Sequence, residues 1–149
     1  EEIISEMKNH FEGRKIFTAY YKAINFVDVM RKIEYNLDDF IGQDSLVVSG
    51  IANPKSFLNI LNKVHVNTQN KMIFRDHKNY TLKEVQQIRK QFYITNSHSV
   101  VTTEKDAVKL SGFKREFDDI EIFYLKINLC MDDEESFKQY LINKLKNAP

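Results

Sequence analysis

With 149 residues, 42% hydrophobic and 29% charged, the chain has the size and composition of one globular domain with a substantial core. A formal net charge of +1, with 22 Lys and Arg scattered among 21 Asp and Glu, excludes the clustered basic face of a nucleic-acid binder. A single cysteine, Cys130, excludes an internal disulfide framework, and no apolar run approaches the ~18 residues a membrane span needs.

The opening stretch "EEIISEMKNH" has helical spacing at Ile3, Ile4, Met7 and Phe11 and no initiator methionine, which reads as a piece cut from a longer protein. An amphipathic helix over residues 1–12, ended by Gly13, is expected. "RKIFTAYYKAINFVDV" is rich in aromatic and β-branched residues and predicts a hairpin or ribbon of two short strands over 15–29. Residues 30–44 read as loop with a short helix at 37–41.

From Ser45 the pattern becomes strand then helix, repeated. "SLVVSGI" is a continuous apolar run, as in a strand buried on both faces. In "ANPKSFLNIL", Asn53 suits a helix cap and Pro54 the first turn, with Phe57, Leu58 and Leu61 facing the core. A strand over 71–75 follows. "YTLKEVQQIRKQF" predicts a helix capped by Thr81 and Glu84, with Leu82, Val85, Ile88 and Phe92 on one face. "SVVTTEKDAVKL" repeats strand and helix, "IEIFYLKINL" gives another strand, and "DEESFKQYLINKLKN" a last helix turning Phe137, Tyr140, Leu141 and Leu145 inward. The alternation predicts a three-layer α/β/α sandwich on a mostly parallel sheet, preceded by a helix and a two-stranded ribbon. The division expected is 1–44 for helix and ribbon and 45–149 for the α/β domain.

None of the four glycines belongs to G-x-x-x-x-G-K-[ST] or G-x-G-x-x-G, and no zinc or other metal-ligand spacing is present. Cys130, among apolar strand residues, reads as a core thiol. Three strand ends carry polar groups, and such ends are where α/β sheets bind ligands. In "SGIANP", Gly50 and Ala52 leave room for a ligand or another domain to approach the backbone, or serve tight strand–helix packing. In "FRDHKNYT", His77 beside Asp76 can shuttle a proton or orient a charged partner, or is a solvated turn. His10, His65 and His98 have no such surroundings. In "VVTTEKDAVKL", Thr103 can cap a helix with Asp106 reaching back to its amide. Glu104 and Lys105 at that helix start can pair with neighbours or with a ligand.

Taken in order, "SGIANPKSF", "FRDHKNYT" and "VVTTEKDAVKL" resemble the C-terminal half of the tetraacyldisaccharide 4'-kinases, the lipid A kinases of Gram-negative bacteria. That family shows Gly-Ile-Ala/Gly-Asn-Pro, Phe-x-Asp-His-x-x-Tyr and Thr-Thr-Glu-Lys-Asp-Ala segments at comparable spacing. The resemblance implies two α/β/α domains joined by a ribbon. The activity it implies is transfer of the terminal phosphate of ATP to the 4'-hydroxyl of a tetraacylated disaccharide 1-phosphate. It places the phosphate-binding loop, the Mg2+ carboxylates and the catalytic aspartate in an N-terminal domain, so this chain alone is expected to be inactive.

Residue by residue, the resemblance makes His77 the histidine that reaches across the cleft to that aspartate, with Asp76 beside it. It makes Gly50, Asn53, Thr102, Thr103, Glu104, Lys105 and Asp106 cleft-lining positions, with no metal ligand among them. Many members carry a second histidine where this chain has Lys78, which breaks the pattern there. The partners implied are the chain's own N-terminal domain, the lipid A precursor and, peripherally, the cytoplasmic side of the inner membrane, with no nucleic acid. A free-standing α/β module binding a nucleotide or sugar phosphate is the alternative, and a small hydrolase using Asp76, His77 and Glu104 a weaker one.

Overall fold

The computed structural model describes residue 11 and residues 14–146. The helix expected over 1–12, and His10 with it, therefore lies almost wholly outside the described residues. Contacts divide the chain into a compact unit spanning Lys22–Asn128 and a smaller one made of Glu1–Tyr21 and Leu129–Pro149. The boundary read from the sequence between residues 44 and 45 falls inside the larger unit.

The strands are β1 (Ala19–Asp28), β2 (Glu34–Tyr35), β3 (Ser45–Ser49), β4 (Lys71–Ile73), β5 (Ser99–Thr103) and β6 (Ile122–Met131). The helices are α1 (Pro54–Lys63), α2 (Leu82–Ile94), α3 (Glu104–Leu110) and α4 (Glu134–Lys146), with 3-10 turns at Leu37–Phe40 and Ser111–Phe113. The sheet order is β2-β1-β6-β5-β3-β4. Strands β4, β3, β5 and β6 are parallel, with Val48 opposite Met72 and Thr102, and Thr102 opposite Tyr124. Strand β2 pairs antiparallel with β1.

Alternate residues of the buried strands feed two cores. Leu46, Val48 and Val100 pack with Val85 and Ile88 of α2 and Ala107 and Leu110 of α3. Val47, Val101 and Phe123 pack with Phe57 and Leu61 of α1 and with Phe26 and Phe40. Helices thus cover both faces of a mostly parallel sheet, the architecture expected.

The caps follow the local chemistry. Asn53 Oδ1 accepts the Ser56 N–H at 3.1 Å, and Thr81 with Glu84 forms a full capping box. The Phe74 N–H donates to Ser49 O at 2.8 Å, so β4 pairing runs one residue past Ile73. Leu82, expected on the core face of α2, is 48% exposed because it stands in the helix's first turn, beyond the sheet's cover.

Three further expectations fail. The span 15–29 holds one ten-residue strand, not a hairpin, and β1 lies beside β6 from the far end of the chain. No Gly, Pro or Asn-Gly interrupts Ala19–Asp28, so nothing there turns the chain. In the smaller unit Phe17 packs on Phe137 and Tyr140, with centroids at 5.1 and 5.4 Å. Leu141 and Leu145, expected to face inward, are exposed, and Cys130 is only partly buried. Helix α4 has no fully buried residue, because an aromatic cluster rather than a sheet face is what it covers.

Candidate functional site

Because β3, β4 and β5 are parallel, the three junctions picked out in the sequence leave the sheet at one edge. Strand β3 is followed in sequence by β4 on one side and, through α2, by β5 on its other side. The crevice between β3 and β5 is therefore a topological switch point, the position at which open α/β sheets hold ligands.

Here the chain fills that crevice itself. Asp106, fully buried, turns Oδ2 onto the Gly50 N–H at 2.9 Å and takes the Thr103 hydroxyl at 2.8 Å. Thr103 Oγ1 in turn accepts the Asp106 N–H at 3.2 Å, so half of the expected cap forms. The other half does not: the Asp106 carboxylate bonds Gly50, across the switch point, in place of the Thr103 amide. Asp106 Oδ1 has no hydrogen bond and lies 3.9 Å from Lys109 Nζ. The buried Tyr80 hydroxyl, also without one, is nearby, and burial first, then the Asp106 charge, push its phenol above the ordinary value.

Gly50 admits this arrangement. A Cβ there would stand 3.1 Å from Lys78 Cβ and 3.3 Å from both Asp106 Oδ1 and Tyr80 Oη. The close approach here is to the chain's own residues. Thr102 is also fully buried, with its hydroxyl donated to Val48 O at 2.7 Å. Asn53 is taken up by capping α1.

The exposed part of the edge is different in kind. The His77 side chain is 75% exposed, on backbone with φ of +56°. The His77 backbone N–H donates to Asp76 Oδ1 at 2.9 Å, and the ring Nε2 lies 3.4 Å from Asp76 Oδ2. Its Nδ1 lies 3.3 Å from Lys105 Nζ. An ammonium only donates, so this contact is a hydrogen bond when Nδ1 is unprotonated, which leaves the ring proton on Nε2, facing Asp76.

Asp76, His77 and Lys105 therefore come together from two different junctions. Glu104 is exposed and its charge is felt by the Tyr124 phenol, raised chiefly by burial and next by Glu104. His65 and His98 are exposed and lie away from this edge.

Lys78, where the family pattern breaks, does a structural task. Its Nζ lies 2.7 Å from Glu84 Oε1, and its carbonyl accepts Lys109 Nζ at 2.7 Å. The Lys78 and Thr81 hydrogen bonds hold the Glu84 carboxyl down at about 2. Lys109 and Tyr80 join this edge in addition to the residues expected there. The tyrosine does end the Phe-x-Asp-His-x-x-Tyr segment, and Lys109 follows Asp106 at helical spacing, so both signals were present.

Among the described residues no group of three His, Cys, Asp or Glu side chains converges to hold a metal ion. No helix of the described residues is long and apolar enough to cross a membrane.

A family model described as tetraacyldisaccharide-1-P 4'-kinase matches residues 3–146. A tetraacyldisaccharide 4'-kinase of Francisella philomiragia is 33% identical over 111 residues, covering 74% of this chain and 32% of that protein. One from Desulfatibacillum aliphaticivorans is 25% identical over 143 residues, covering 91% of this chain and 38% of that protein. The chain thus spans about a third of the length of these relatives. A crystal structure of LpxK from Aquifex aeolicus in complex with ATP aligns with a TM-score of 0.56 over 89% of this chain and 37% of that one. At 20% identity that likeness carries the fold.

Proposed function

Because the chain belongs to the tetraacyldisaccharide 4'-kinase family, we propose that it is the C-terminal part of a kinase acting in lipid A synthesis. The full-length protein transfers the terminal phosphate of ATP to the 4'-hydroxyl of a tetraacyldisaccharide 1-phosphate. The observation that carries this reading is the meeting of Asp76, His77 and Lys105, from two family-like segments, at one exposed sheet edge. The acceptor is a membrane lipid, so the full-length protein works peripherally at the cytoplasmic side of the inner membrane.

The residues here do not fit the nucleotide or its Mg2+. The Gly50 N–H, at the switch point where a phosphate would be received, is taken by Asp106, and no metal-ligating group converges among the described residues. In this reading ATP and Mg2+ are held by an N-terminal domain that carries the phosphate-binding loop, a motif this sequence lacks. This chain alone is inactive in this reading.

What this chain supplies is a histidine. Exposed, and with Nδ1 3.3 Å from Lys105 Nζ, His77 presents its ring to a second domain closing over the edge. There it pairs with the aspartate that takes the 4'-hydroxyl proton, and orients it. General-base catalysis of this kind contributes about 10²–10⁴-fold.

The test is transfer of labelled phosphate from ATP to tetraacyldisaccharide 1-phosphate by the full-length protein, its His77→Ala variant and this chain alone. Transfer by the wild type, a loss of about ten-fold or more in His77→Ala, and none by this chain are expected. Full turnover in His77→Ala would remove the histidine from the mechanism. Absence of transfer by the full-length wild type would sink the whole reading.

A further inference from the structure

The exposed pair His77 and Lys105 has little of its own to hold it in place. Both side chains face solvent, and their contact is a single 3.3 Å approach. Asp76 stands 3.4 Å from Nε2 on the other side of the ring, and the spacing of the ring from Lys105 comes from the backbone at the neighbouring residues, Lys78 and Asp106, both of which are tied down.

Asp106 is the knot. Its Oδ2 holds the Gly50 N–H after β3 and the Thr103 hydroxyl at the end of β5. Its Oδ1 faces Lys109 Nζ at 3.9 Å, and that ammonium donates to Lys78 O at 2.7 Å. One buried carboxylate is thereby joined, directly or through Lys109, to all three junctions of the edge. A buried carboxylate is a poor way to stabilise a core compared with apolar side chains of similar volume. What it does supply is direction, since each oxygen fixes its donors along defined lines.

We infer that Asp106, acting with Lys109, is a positioning residue that sets the spacing of His77 and Lys105 and so the tautomer of the imidazole, without touching either substrate. Loss of the charge at Asp106 frees Lys109 from the Lys78 carbonyl, lets the residue after His77 shift, and separates the ring from Lys105. The proton then distributes between Nδ1 and Nε2. The structural half of the inference stands on these contacts alone; its consequence for turnover rests on the role proposed for His77.

The experiment uses the full-length protein with 15N-labelled histidine, the His77 ring signals being assigned with His77→Ala. Asp106→Asn keeps the size of the side chain and removes its charge. In that variant the His77 ring nitrogens are expected to move from the Nε2–H pattern toward a tautomer mixture. Turnover should fall by about ten-fold, with KM for ATP changed less than about two-fold. Lys109→Met, at a side chain 24% exposed, should move both readouts the same way by less.

Wild-type His77 signals in Asp106→Asn would overturn the inference whatever turnover does, because a merely structural role would leave them unmoved. Shifted signals with undiminished turnover would overturn its catalytic half. If Asp106→Asn fails to fold, unchanged His77 signals in Lys109→Met overturn it equally. Should His77→Ala keep full turnover, the function reading falls on its own, while shifted signals in Asp106→Asn would still uphold the positioning.

Discussion

The junction after β5 and the loop after β4 leave the sheet at the same edge and are built on opposite principles. At the first, Thr102 and Asp106 are fully buried, and the Thr102 hydroxyl and Asp106 Oδ2 are matched to donors or acceptors within the chain. At the second, Asp76 and His77 face solvent, and the imidazole rests between a carboxylate and an ammonium that water can also reach. Buried polar groups must be matched internally or cost stability, and these matched atoms fix the geometry of the first junction. Exposed ones are free to exchange partners. At this edge the fixed geometry lies below the surface and the histidine above it.

The change that would break this contrast most severely is Asp106→Ala. It leaves the buried Gly50 N–H and the half-buried Thr103 hydroxyl without their acceptor, at about 1–3 kcal/mol for a fully buried group. A loss of about 2–5 kcal/mol is expected, read from urea unfolding of the full-length protein with amide exchange followed in β3 and β5. A loss within about 0.5 kcal/mol, the range of ordinary surface substitutions, would show that the buried junction does not carry the edge.

Gly50→Ala probes where the two regions touch. The new Cβ would lie 3.1 Å from Lys78 Cβ and 3.3 Å from both Asp106 Oδ1 and Tyr80 Oη, and all three neighbours are pinned or buried. Overpacking of this kind costs about 1–3 kcal/mol. Turnover should fall further than stability, since Lys78 adjoins His77. Equal stability and equal turnover in Gly50→Ala would mean that the close approach serves neither.

What could be read from the sequence was what is local. Asn53 and Thr81 cap the helices they precede, because a cap bonds amides two or three residues away. The strand–helix alternation announced the layers, and "SLVVS" announced a strand buried on both faces. The failures are contacts between residues far apart in the chain. Strand β1 looked like a hairpin because its neighbour β6 begins at Ile122. Asp106 looked like half of a capping box, a sound local reading, until a backbone N–H 56 residues away claimed its carboxylate. His77 was legible as a residue type in a polar loop, but its ring partner Lys105 is 28 residues distant. Position in a sheet edge is a property of strand order, and strand order is not written in any one segment.

The finest test of the contrast is at the anchor of the exposed loop. Glu84 binds Lys78 and Thr81 and has its carboxyl lowered from 4.5 to about 2, by the Lys78 hydrogen bond first and those of Thr81 next. A carboxyl depressed by folding contributes stability that is fully present above its unfolded value. That stability is lost as pH falls from about 4.5 toward 2, because the unfolded chain takes up the proton first. In Glu84→Gln the fall in stability across that window should be shallower than in the wild type, measured as urea midpoint against pH. At neutral pH the wild type should be the more stable of the two, and the difference should close at the acid end, where a protonated Glu84 resembles the glutamine. Local exchange should tell more than the global midpoint: amides of 76–80 should open faster in Glu84→Gln, and those of β5 should not. If β5 loosened as well, the loop and the buried junction would be one cooperative piece, and the separation of precision from availability at this edge would fail.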